Sequence, residues 1–210
     1  MIEYLQYIVF TAAIATLLAA FAYIRSMLKG NAKPNRITWL MWAVAPFIAT
    51  AAAISNGVGL AVIPVFMSGF SPILIFTASF RIKKAIWKLS KFDYVCGTVS
   101  ALALILWYST KNPNIAIVFA IAADGIASMP TLRKAVKHPE TESTWPFVTG
   151  TFGAISSLIA ARLWTFSDYA FPAYLLIINI VFLSSIHGKQ LTSFLEKVIQ
   201  TIQGSTPDKT

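Results

Sequence analysis

Apolar residues along this chain fall in long blocks separated by short polar breaks. Seven blocks reach the roughly 17–25 residues that a helix needs to cross ~30 Å of hydrocarbon. They run at about 4–28, 37–55, 59–80, 93–110, 114–135, 144–163 and 168–187. Gly30-Asn31, Asn56-Gly57 and Asn112-Pro113 mark three of the breaks, with residues that favour turns and stop helices. Past the last block, Leu191, Phe194, Leu195, Val198, Ile199 and Ile202 recur at helical spacing. That spacing predicts an amphipathic helix that packs on polar loops, lies in the lipid interface or docks a partner. Gly204 to Thr210 reads as a frayed end. The pattern predicts an all-α membrane protein with seven transmembrane helices.

Composition agrees. Apolar residues make up 57% of the chain and charged residues 12%, where soluble domains carry about 25% charge. Mean hydropathy is +0.68. A net charge of +9 would suggest nucleic acid in a soluble chain, but here no nucleic-acid partner is expected, because loops on the cytoplasmic side collect Lys and Arg. With the N-terminus outside, fifteen Lys and Arg fall on the inner side, and only Lys111 and Arg162 fall on the outer. This predicts a bacterial inner membrane protein with its N-terminus outside and its C-terminus cytoplasmic. The run from Arg81 to Lys91 reads as an inner loop touching anionic headgroups. Met1-Ile2-Glu3-Tyr4 lacks the basic start of a secretory signal, so the first block is kept as a span. The one cysteine, Cys96, offers no disulfide within the chain.

Two stretches match. The first span exits through Arg25 and Lys29 to Pro34, and the second opens Ile37-Thr38-Trp39. The fifth exits through Arg133, Lys134 and Lys137 to Pro139, and the sixth opens Ser143-Thr144-Trp145. The Thr-Trp pairs are 106 residues apart, and Pro64 and Pro172 are 108 apart. The expected organisation is therefore two parallel three-helix repeats joined by a linker helix (3+1+3). Residues 1–92 form the first bundle with its basic loop, 93–113 the linker, 114–188 the second bundle, and 189–210 a cytoplasmic helix and tail. Repeats of this kind place a binding site between them at midplane.

Asp124 is the residue to explain. It lies mid-block in Ile115 to Pro130, where a carboxylate costs at least ~2.5–3.5 kcal/mol and should face protein or water. It can relay protons or cations, hydrogen-bond a solute, or bond a neighbouring Ser, Thr or Trp. Asn179, on an otherwise apolar span, must find a partner in another helix or a ligand. Glu140 and Glu142, opposite Arg133, Lys134 and Lys137, read as an inner gate or as a surface cluster.

Taken together, the three-plus-one-plus-three order and Met129-Pro130-Thr131 followed by Arg133, Lys134 and Glu140 resemble the SWEET and PQ-loop superfamily of small-solute transporters, although Pro34 of the first bundle comes later, in the loop. Thr131 stands where the family has glutamine, and the first bundle has Ile24-Arg25 without a proline there. The resemblance implies transport of a small polar solute, of the sugar, amino acid or vitamin class, by alternating access, with proton coupling through Asp124. It implies Asn179 and its counterpart Ser71 as substrate contacts, and Trp39 or Trp42 together with Trp145 as pocket walls. Pro46, Pro130 and Pro146 would be hinges. It also implies homo-oligomers; no cofactor is expected.

Enzyme readings fare poorly. His138 and His187 lack metal-ligand spacing, and an intramembrane aspartyl protease needs a second buried acid. No nucleophile elbow or phosphate loop occurs. A retinal protein would need a lysine in the last span, and Tyr169 to Ile186 has none. The alternative from another class is a non-transporting receptor, sensor or assembly subunit. A transporter needs a polar cavity that such a module can fill with side chains.

Overall fold

Seven α-helices carry nearly the whole chain in the computed structural model, which describes residues 2–81, 87–109 and 112–204. They are α1 (Ile2–Leu28), α2 (Arg36–Ser55), α3 (Val62–Ser79), α4 (Lys91–Tyr108), α5 (Pro113–Lys137), α6 (Trp145–Ala160) and α7 (Phe166–Gly204), with a 3-10 turn at Pro139–Thr141. No strand occurs among the described residues. Every expected block is a helix, but two are poorer spans than the sequence pattern suggests. Five helices (α1, α2, α3, α5 and α7) are long and apolar enough to cross a membrane. α6 has 16 residues, about 24 Å at 1.5 Å per residue, because the backbone turns extended at Ala161. α4 has 18, with Asp93 in its first turn.

The expected tail helix is not a separate element. α7 runs unbroken to Gly204. The side chains of Leu191 to Ile202 lie outside the described residues, as do residues 205–210, Lys83, Lys84 and Lys111.

The helix ends follow from local chemistry. Asn35 caps α2, its Oδ1 accepting from the N–H groups of Ile37 at 3.1 Å and Thr38 at 3.3 Å. Asn112 caps α5 the same way, with Pro113 at the first helical position, where its missing N–H costs nothing. Beyond α1, Gly30 takes φ +83°, a conformation open to glycine but strained for other residues, and its N–H donates to Met27 O at 3.0 Å.

The helices turn small residues inward and large apolar ones outward. Alanine dominates the buried apolar set, while Ile14, Leu18 and Phe21 on α1 and Ile177 on α7 are more than half exposed. Water would penalise such a surface. Lipid favours it, since close helix contact there relies on small residues. The molecule is a membrane-embedded helical protein.

Packing follows a definite order. α3 lies between α1 and α2, and α7 between α5 and α6; among the described residues α1 does not touch α2, nor α5 touch α6. α1 packs on α6, and α2 on α5. α4 lies outside, against α5 and α2.

Candidate functional site

Six helices leave a cavity of about 90 Å³ between them, and none of the described residues of α4 lines it. Asp124, near the middle of α5, faces it and is only 3% exposed. The carboxylate has one hydrogen-bond donor among the described residues: the Tyr174 hydroxyl on α7 donates to Oδ2 at 2.7 Å. Among the described residues, no Lys, Arg or His lines the cavity. One turn along α5, Ser128 donates to the Asp124 carbonyl at 2.8 Å and accepts the Trp42 indole N–H at 2.9 Å. Trp42 on α2 is thereby fixed to the Asp124 turn of α5.

Asn179 and Ser71, on α7 and α3, both line the cavity. Asn179 Nδ2 donates to Leu175 O at 2.7 Å, which leaves its second N–H and its carbonyl oxygen available. Its amide lies against Gly150: a methyl group there would stand 2.8 Å from Asn179 Oδ1. The Ser71 hydroxyl points to Thr16 O at 3.4 Å.

The aromatic wall is partly the one the sequence suggests. Trp39 and Trp42 line the cavity, edge to face at 5.1 Å. Trp145 does not line it, and is 62% exposed at the start of α6. Phe147, two residues on, takes the inner position, stacked on Phe182 at 4.5 Å. Of the prolines, Pro46 lies within α2 and lines the cavity, and Pro130 is buried within α5. An interior proline removes a helix hydrogen bond. Pro146 also lines the cavity, but it sits in the first turn of α6, where no such bond is lost. Thr38 ties α2 to α5 beside Pro130, donating to Ala127 O at 2.9 Å and accepting from Thr131 at 2.9 Å.

Toward the end that bears the basic loops, the aromatic cluster continues to Tyr23, 4.8 Å from Trp39. Beyond it Lys134 and Glu142 form an ion pair with both side chains fully buried. Lys134 Nζ also donates to Lys33 O at 2.5 Å and lies 5.2 Å from the Trp87 ring centre. The Tyr23 hydroxyl reaches Glu142 at 3.4 Å. Burial pushes the Glu142 carboxyl above its ordinary value, while the Lys134 ammonium and the Tyr23 hydroxyl pull it back. The sequence-level cluster therefore divides. Glu142 belongs to a buried ion pair, whereas among the described residues Glu140 makes only an exposed contact with His138 at 3.5 Å. Arg133 stands over Phe92. At the opposite end Asn56 donates to Ser167 at 2.5 Å and to Asn114 at 3.1 Å, tying α2 to α7 and α5.

Sequence reasoning missed Tyr174, Thr16, Phe147 and Phe182. The available signal was the 108-residue offset of Pro64 and Pro172: carried through the chain, it leads from Trp39 to Phe147 and from Thr16 to Asp124. No family model, curated protein or solved structure matches the chain.

Proposed function

We propose that this protein moves a small polar solute across the membrane by alternating access, with Asp124 as the proton- or cation-linked group and Asn179 and Ser71 as solute contacts. One observation carries the reading. Among the described residues, the cavity takes eleven lining residues from α1–α3 and eleven from α5–α7, and it holds one buried carboxylate. A scaffold has no reason to keep a carboxylate in an unfilled space between two bundles.

The reading includes two parallel three-helix repeats joined by α4, and with them the likeness to SWEET and PQ-loop transporters. Two features support it. Exchanging α1, α2 and α3 for α5, α6 and α7 turns each helix contact that omits α4 into another that exists: α1–α3 into α5–α7, α2–α3 into α6–α7, α1–α6 into α5–α2. An offset of 108 pairs lining residues across the halves: Thr16 with Asp124, Trp39 with Phe147, Trp42 with Gly150, Pro46 with Ala154, Ser71 with Asn179. The distribution of basic residues supports a bacterial inner membrane setting, N-terminus outside.

On this reading the aromatic cluster and the Lys134–Glu142 pair are the cytoplasmic closure, and the Asn56–Ser167–Asn114 ties close the outer end in turn. Flexing falls at Pro46 and Pro130. Spin labels test it. In a Cys96→Ala background, one pair replaces Leu28 and Val136 at the basic end, and a second pair replaces Tyr4 and Leu163 at the other. Two distance populations at each end, shifting in opposite senses when conditions change, are expected. A single unchanging distance at both ends would favour a receptor, sensor or assembly subunit instead.

A further inference from the structure

The groups facing the cavity are unusual in kind. Each hydroxyl that lines it is turned toward a backbone carbonyl: Thr16 to Ala12 at 2.9 Å, Ser68 to Val65 at 2.6 Å, Ser71 to Thr16 at 3.4 Å and Ser157 to Ala61 at 2.7 Å. A hydroxyl whose proton is committed presents only lone pairs. The Tyr174 proton goes to Asp124, and that of the Trp42 indole to Ser128. What remains toward the space is acceptors: the free oxygen of Asp124, hydroxyl lone pairs and the Asn179 carbonyl. One donor is left, an N–H of Asn179; the Trp39 indole N–H lies beside Tyr23.

The complement of such a surface is a donor with positive charge. An ammonium group carries donors and no acceptor, and its charge would balance the one carboxylate in a place where no protein cation does. The aromatic wall of Trp39, Trp42, Phe147 and Phe182 suits the carbon part. Size narrows the class. About 90 Å³ is less than the ~150 Å³ apolar cavity that takes a benzene ring, so a hexose does not fit. An amino acid brings a carboxylate, and among the described residues the lining holds no cation to receive it.

We infer that the cavity recognises a small organic ammonium ion, an amine of a few carbons, with Asp124 as its counter-ion. This rests on the transporter reading only for the statement that the ion is moved; the binding stands alone. It assigns the linked cation to the solute itself.

The test is thermal unfolding of purified protein against propylammonium, propan-1-ol, alanine and glucose. A ligand of the folded state raises the melting point by mass action. Propylammonium should stabilise saturably, the alcohol and the two others not. Asp124→Asn should bind it roughly ten- to hundredfold more weakly, the range of a lost charged hydrogen bond, and Phe147→Leu several-fold more weakly. Equal stabilisation by propan-1-ol, which needs no variant, overturns the proposal, and so does an undiminished response in Asp124→Asn. Stabilisation by glucose or alanine alone, or by nothing, also overturns it. Uptake of radiolabelled propylammonium into proteoliposomes then separates the two readings. Binding with uptake sustains both, and binding without it sustains the ammonium site and removes the transporter.

Discussion

Two buried acids sit a few turns apart in this molecule and are treated in opposite ways. Glu142 has a lysine against it, a tyrosine nearby, and a place in a closed layer of rings. Asp124 has a tyrosine hydroxyl and an open space. The first acid is compensated by the protein, so its energetic role is local and structural. The second is left short of a partner, and an acid left short in a low-dielectric site disrupts the fold, takes up a proton or awaits something that completes it. On the proposed reading, the difference separates a closure from a binding site.

The largest expected effect comes from breaking the compensated pair. Glu142→Leu strands the Lys134 charge, and losing one partner of a buried pair costs about 3–5 kcal/mol. The double variant Lys134→Met, Glu142→Leu should recover most of this, because replacing both ions by apolar groups of similar volume is often neutral. Chemical denaturation of the three proteins in one detergent checks it. No recovery in the double variant would mean that the two residues act separately.

A smaller effect is expected on the cavity side. Gly150→Ala places a methyl group 2.8 Å from Asn179 Oδ1, so the amide must swing. Overpacking of this sort costs about 1–3 kcal/mol; here part of the cost falls on the ligand, whose affinity should drop in a titration while the fold survives. Unchanged affinity would place Asn179 outside the recognition surface.

How much of this was legible in the sequence depends on the range of the interaction. Helices show in the length and spacing of apolar blocks, and Asp124 stands out because a charge within such a block is rare. The closure was harder to see. Lys134 and Glu142 are on opposite sides of a loop, and nothing local separates Glu142, whose side chain is buried, from Glu140, which meets water. Tyr174 was hidden because a tyrosine in an apolar run reads as another apolar residue until its hydroxyl finds a partner. Trp145 misled for a geometric reason. The Thr-Trp match has an offset of 106 while the cavity residues pair at 108, and two residues along a helix turn a side chain by about 200°, from the cavity to the outside.

The central claim is that Asp124 is kept for a ligand and not for the fold, and the most direct measurement is the unliganded stability of Asp124→Asn against wild type. Asparagine can still accept from Tyr174 and carries no charge. The account predicts a variant at least as stable as wild type, since an uncompensated buried charge has been removed. A loss of about 3 kcal/mol or more, the scale of a broken buried pair, would contradict it and make Asp124 a structural residue.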